Sequence, residues 1–275
     1  MSAPFPKDAH IHPSQSSHAP ALTLLSEDEP RPVAVARPRG RSPFVLVCDH
    51  ASRDFPRSLG SLGLSEADSH THIAWDIGAL QVATLLSEQL DATLVWQNYS
   101  RLVIDCNRIP VAPDSIAMRS DGRQISGNEN LDAAARVARY SEVFAPYHSE
   151  IHSVLERRKS NGQRSILVAV HSFTPTFGEV PRPWHIGLMF KRDQRLAAAL
   201  LEQLRAENDL CVGDNQPYEI ADDIDYTLPL HGAKRGIEYV GLEIRQDLIG
   251  AREGQEVWAA RLARLLPVAA ALLDA

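Results

Sequence analysis

The amino-acid sequence predicts an α/β fold of three layers, with helices on both faces of a mixed central sheet. Short runs rich in Val, Ile and Leu alternate with segments whose apolar residues recur at three- and four-residue steps, the strand and helix periods of such a fold. The runs "FVLVC" and "ILVAV" are apolar at every position, so both of their faces must be covered. Each run is followed closely by a histidine, His50 or His171. In open sheets of this kind ligands bind beyond the carboxyl ends of the strands.

Residues 1–20 are rich in Pro, Ser and His, lack an apolar period and read as a flexible tail; residues 21–275 read as a single domain. The tail's His10, His12 and His18 have no rigid surroundings to fix them as metal ligands. Turn residues in "RPRGRSP" introduce a first strand over 43–49. Ser65 is a helix N-cap followed by acids, and Asp76 opens a second helix over 76–90. Strands are expected at 92–98 and 101–108, on either side of a tight turn at Tyr99 and Ser100. Residues 112–130 form a long loop, of a kind found both at functional mouths and as plain surface excursions. Leu131 to Lys159 reads as one long helix or a pair broken at Pro146. A strand over 165–173, one over 185–190, a helix over 193–207 capped by Asp193 and a strand within 211–220 follow. The strand at 237–249 carries Glu243 and Arg245, and an amphipathic helix runs from about Glu253 to Leu273.

With a net charge of −7, the chain lacks the basic surface that binding to a nucleic-acid backbone requires, although an arginine pocket for small anions needs no net positive charge. Its three cysteines, Cys48, Cys106 and Cys211, form no paired framework, which is the usage of a reducing compartment. No signal segment and no run of about 18 apolar residues is present, so a cytoplasmic location without membrane contact is expected.

Each chemically able residue has an ordinary reading on its own. A strand-end histidine is commonly a hydrogen-bonded structural group, and an aspartate at a helix start is commonly a cap. Together, His50, His171, Asp76 and Glu243 are the parts of a zinc hydrolase: three ligands, an open position for water, and a base. In "YVGLEIR" desolvation would raise the pKa of Glu243 toward that of a general base; an ion pair with Arg245, on the same strand face, is the competing reading. Arg101, Asn107 and Arg108 bracket "LVIDC" and offer paired donors to an anionic substrate, or else the two arginines pair with Asp105 and surface acids. Cys48 lies near His50 but inside an apolar strand, as a small buried hydrophobe does. Ser52 and Ser172 lie outside any G-x-S-x-G elbow.

In order, "VLVCDHASRDFP", "HIAWDIGA", "YSRLVIDCNR", "VAVHSFTP", "GDNQPYEI" and "GLEIRQDLI" resemble the N-formylglutamate amidohydrolases, from about Val33 almost to the end. That family is related to the zinc carboxypeptidases and aminoacylases, which implies a zinc-peptidase-like fold. The resemblance implies zinc, or another divalent metal, held by His50, His171 and Asp76, with Glu243 as general base. It further implies that Asn107 and Arg108 grip a substrate carboxylate, while Arg101 and Arg245 polarise the carbonyl or grip a second one. The carboxypeptidases place a ligating glutamate three residues after the first histidine; here that residue is Arg53, and the adjacent Asp54 is an alternative to Asp76. The implied reaction is hydrolysis of an N-formyl or short N-acyl acidic amino acid, N-formyl-L-glutamate giving formate and L-glutamate, a step of amino-acid degradation. An amidase acting on another carboxylate-bearing N-acyl compound, or a metal- and anion-binding protein without turnover, uses the same residues.

Overall fold

The computed structural model describes residues 23–273, so the predicted tail and its histidines lie outside the described residues. Its first half contains β1 (Val33–Ala36), β2 (Phe44–Cys48), α1 (Glu66–Ser69), α2 (Ala79–Leu90), β3 (Thr93–Gln97) and a small hairpin of β4 (Arg119–Ser120) and β5 (Arg123–Gln124). Next come α3 (Ala133–Arg139), α4 (Ala145–Ser160), β6 (Ile166–Phe173) and a second hairpin of β7 (Thr176–Phe177) and β8 (Val180–Pro181). The last part contains β9 (Ile186–Met189), α5 (Arg195–Arg205), β10 (Val212–Asp214), α6 (Thr227–His231), β11 (Glu238–Arg245) and α7 (Arg252–Ala271).

Seven strands form one mixed sheet in the order β1-β3-β2-β6-β11-β9-β10. At its centre β2, β6 and β11 run parallel, while β1 lies antiparallel on β3 and β9 antiparallel on β11. Alternation along these strands sets the layers. Leu46, Val168, Val170, Val240 and Leu242 pack against α2, α5 and α7 on one face. Val45, Val47, Leu167, Ala169 and Tyr239 pack against α4 and the segments beside it on the other. Because His171 and Glu243 follow Ala169 and Gly241 by two residues, they point to the α4 side, at the carboxyl ends of their strands. No helix among the described residues is long and apolar enough to cross a membrane.

Four local expectations are corrected. Residues 101–108 form turns, not a strand, because β3 already has β1 on one edge and β2 on the other and leaves no edge to pair with. Their apolar residues are nevertheless buried, and Asp105 N donates to Ser115 O at 2.7 Å. Asp76 does not cap α2; the cap is Gly78, at φ 80°, where a Cβ would stand 2.2 Å from Ile249 O. Pro146 breaks nothing: residues 133–160 continue through a π-helical turn at 140–144, where Ala145 N donates to Tyr140 O, and the wider turn accommodates the proline. The helix after Asp193 begins at Arg195; Asp193 Oδ1 accepts from Arg195 N at 3.2 Å. The short β1 and the five-residue α6 carry too little periodicity to be read from sequence.

Candidate metal centre and active site

Three strand ends and two loops converge on one small polar volume. The loop ahead of α2 is fixed by Asp76 N donating to His50 O at 2.9 Å, which turns the Asp76 side chain away from the helix and toward the histidines. Asp76 Oδ2 stands 2.8 Å from Nδ1 of His171 and 3.2 Å from Nδ1 of His50. The rings lie 5.1 Å apart at 59°, and ligand atoms of His50, Asp76 and His171 all lie within 4.8 Å of one another. All three residues are buried.

The nitrogens facing away from Asp76 meet two further acids. Asp105 Oδ1 stands 2.7 Å from Nε2 of His50, and Asp49 Oδ2 stands 3.2 Å from Nε2 of His171, an ion-pair distance without a well-directed hydrogen bond. Thr227 Oγ1 donates to the other oxygen of Asp49 at 2.7 Å, holding that carboxylate in place. Arg101 bridges the acids, with Nη2 at 2.6 Å from Asp105 Oδ2 and Nη1 at 3.5 Å from Asp76 Oδ1. The Arg101–Asp105 pair is one the sequence offers; Asp49 and the contact of Asp105 with His50 are not legible there. Their signal was the run of acids beside the motif histidine and in "DCNR", which a strand assignment for 101–108 concealed.

Burial opposes charge on every member of this cluster, yet the opposed charges prevail. Burial would raise the Asp76 carboxyl, but the charges and hydrogen bonds of His50 and His171 hold it well below the usual carboxylate range. Burial would likewise lower His171, but its close contact with the Asp49 carboxylate and its hydrogen bond to Asp76 hold it well above the ordinary histidine value. His50 is raised too: burial and Arg101 push it down, and Asp105 with Asp76 outweigh them. The cluster thus sets three carboxylates, Asp49, Asp76 and Asp105, against Arg101 and the two imidazoles. Three buried carboxylates with one guanidinium leave negative charge that a divalent cation would offset, and two imidazole nitrogens with one carboxylate are a donor set that zinc accepts. The carboxylates behind both rings are the outer support such ligands need. By these tests the residues fit a metal.

Glu243 pairs in register with His171 and is 6% exposed. Its Oε2 is buried without a hydrogen-bond partner, and burial, with the charge of Asp76, pushes its carboxyl up to about 7. The ion pair with Arg245 does not form; Arg245 instead binds Asp247 at 2.8 Å and reaches the carbonyls of Arg182, Pro183 and Trp184. Arg108 pairs with Asp225 at 2.6 Å and Asp114 at 3.1 Å, and Asn107 Oδ1 accepts from Thr227 N at 3.1 Å. The two arginines are therefore engaged by acids of the chain itself, and Asn107 by its side-chain oxygen. Asp54 is exposed and takes no part in the cluster; its backbone carbonyl accepts from Ser100 N. Cys48 is fully buried in the core, and burial pushes its thiol up, away from thiolate chemistry.

An N-formylglutamate deformylase of Pseudomonas aeruginosa is 28% identical over 147 residues, 49% of this chain and 53% of that protein, so the chain spans about half the length of this curated relative. The crystal structure of a gene product of Agrobacterium tumefaciens superposes with a TM-score of 0.89 at 38% identity, over 92% of this chain and all (100%) of the other. An N-formylglutamate amidohydrolase from Ralstonia eutropha, at 18% identity, shares the fold with a TM-score of 0.66 over 89% of this chain and 99% of its own. The family model of the N-formylglutamate amidohydrolases matches residues 42–250, a span that takes in every residue of the site just described. The chain belongs to the N-formylglutamate amidohydrolase family.

Proposed function

We propose that the protein is a metal-dependent amidohydrolase that converts N-formyl-L-glutamate and water to formate and L-glutamate. The observation that carries this reading is the meeting of His50 Nδ1 and His171 Nδ1 at Asp76 Oδ2, beside a buried glutamate with an unpartnered oxygen. Family membership supplies the acyl group and the amino acid.

His50, His171 and Asp76 would hold the ion. Bound there, zinc supplies Lewis-acid polarisation of the acyl oxygen and lowers the pKa of water to about 7. Glu243 takes a proton from the attacking water and returns it to the departing amine nitrogen. Its apolar strand keeps bulk water from competing for that proton. The guanidinium of Arg101 lies at the acids' edge with a quarter of its side chain exposed (26%), where it faces the carbonyl oxygen as negative charge develops. Asn107, Arg108 and Arg245 shape the mouth and its anion preference.

The test is a panel of N-formyl and N-acetyl amino acids, assayed with metal-loaded and chelator-treated protein. Formate release from N-formyl-L-glutamate, lost with chelator and restored by zinc, is the expected result. Tight metal binding without turnover of any member points instead to a metal- or anion-binding protein, and turnover confined to another acyl group points to a different amidase.

A further inference from the structure

The arginines expected to meet an anionic substrate all have acids beside them. Arg101 faces Asp76 and Asp105, Arg108 faces Asp114 and Asp225, and Arg245 faces Asp247. Arg182 differs: it is 9% exposed and forms no ion pair among the described residues. Its guanidinium carbon lies 5.8 Å from the Phe173 ring, 5.0 Å from that of Phe177 and 5.0 Å from that of Tyr218, and Nη1 donates to Thr174 Oγ1 at 3.1 Å. Three aromatic rings compensate part of the lost hydration of a cation, but they leave its paired donors without an anion.

The place of this cation relative to the reaction centre follows from register. On β6, Phe173 is two residues beyond His171 and so on the same face, and its partner on β11 is Arg245, as Glu243 is the partner of His171. Arg182 thus stands over the row one pleat outward from the histidine, roughly 6–7 Å by strand rise. Tyr218 reaches the same spot because Gly187, opposite Glu243 on β9, has no side chain: a Cβ there would stand 1.6 Å from Gln216 O. Burial and the charge of Glu243 raise the pKa of the Tyr218 phenol, while Arg182 and Arg101 act against them.

We propose that Arg182, framed by Phe173, Phe177 and Tyr218, binds a carboxylate of the substrate, with the Tyr218 hydroxyl as a further donor. The proposal rests on the N-acyl amino acid reading and adds the residue that selects the acid. A carboxylate there supplies the counter-ion that the guanidinium lacks and is held with paired donors.

The experiment compares wild type, Arg182→Met, Arg182→Lys and Tyr218→Phe on N-formyl-L-glutamate and its two monoamides, N-formyl-L-glutamine and N-formyl-L-isoglutamine. R182M is expected to raise KM for the diacid about 10- to 100-fold with kcat changed less than about threefold. It should leave KM unchanged for the one monoamide that lacks the bound carboxylate, which also identifies that carboxylate. R182K should recover part of the loss. If R182M fails to fold, Y218F, which keeps the ring, should still raise KM for the diacid by about three- to tenfold. Equal losses on all three substrates, or none, overturn the proposal in favour of a purely structural role for Arg182 in pinning the β7–β8 hairpin. If wild type cleaves none of these compounds, the functional reading fails, and calorimetry with L-glutamate decides the subsite separately. Binding by wild type that weakens in R182M sustains it; equal binding, or no binding by wild type, refutes it.

Discussion

Asp105 Oδ1 stands 2.7 Å from Nε2 of His50, which fixes the imidazole so that Nδ1 faces Asp76 and His171. The same carboxylate anchors Arg101 at 2.6 Å and Asn107 N at 2.8 Å, so one side chain orients an imidazole, a guanidinium and the following turn. Replacing it as Asp105→Asn removes the negative charge behind the ring. Zinc affinity, read by competition with a chromogenic chelator, is expected to fall about 10- to 100-fold. Unchanged affinity would show that His50 is oriented by its backbone alone.

Glu243 has no part in holding the metal in this arrangement, so Glu243→Gln separates binding from turnover. Its volume is conserved and the unpartnered Oε2 of the buried carboxyl becomes an amide. Hydrolysis of N-formyl-L-glutamate is expected to fall about 10²- to 10⁴-fold, the usual worth of a general base, with zinc content unchanged by elemental analysis. An active variant would remove Glu243 from the proton path.

Periodicity alone marks the parts of the site carried by regular strands, whereas Asp76 and Arg101, on loops, are marked by the family resemblance. "ILVAVH" and "YVGLEIR" place His171 and Glu243 by period alone, and their register as partners on β6 and β11 follows from the parallel sheet. The contact of Asp105 with His50 and the burial of Arg182 are out of reach for different reasons. The apolar content of residues 101–108 looks like a strand, but a sheet edge is a tertiary property that the segment cannot encode by itself, and the turns formed there aim Asp105 at His50. Arg182 follows a hairpin of two-residue strands, and nothing local marks it as buried; Phe173 and Phe177 precede it on the same stretch, but Tyr218 comes from a distant segment.

Gly187 illustrates the same dependence on distant contacts and yields a prediction. In Gly187→Ala the new Cβ meets the backbone carbonyl of Gln216, which cannot swing aside as a flexible side chain can. The 215–218 segment must lift, carrying Tyr218 with it. A loss of about 1–3 kcal/mol in urea-unfolding free energy is expected from overpacking. If Tyr218 serves the substrate, KM for N-formyl-L-glutamate also rises while zinc content stays constant. A variant as stable as wild type with an unchanged KM would show that the segment packs loosely.

Below the active site, His148 and His231 form a second buried pair whose protonation is set by geometry. His148 Nε2 donates to Cys106 O at 2.9 Å, so its Nδ1 accepts from His231 Nε2 at 3.0 Å, and His231 Nδ1 is left buried without a partner. The His148 ring lies among Phe144, Tyr147 and Tyr226, and His231 stacks on it at 5.3 Å. Burial lowers His148 to about 4, with Asp49 opposing; burial, His148 and Arg235 lower His231 to about 3. Because both folded values lie below the unfolded value of about 6.5, the unfolded chain binds more protons between them, and stability is lost as pH falls through that window. Between pH 6.5 and 5 each histidine contributes a loss on the order of 2 kcal/mol. Urea midpoints at pH 7 and pH 5 measure it, in chelator-treated protein so that metal release does not contribute. The double variant His148→Gln/His231→Gln is expected to have a flatter dependence than wild type. Parallel curves for the two proteins would place the acid sensitivity elsewhere, in the carboxylates around Arg101.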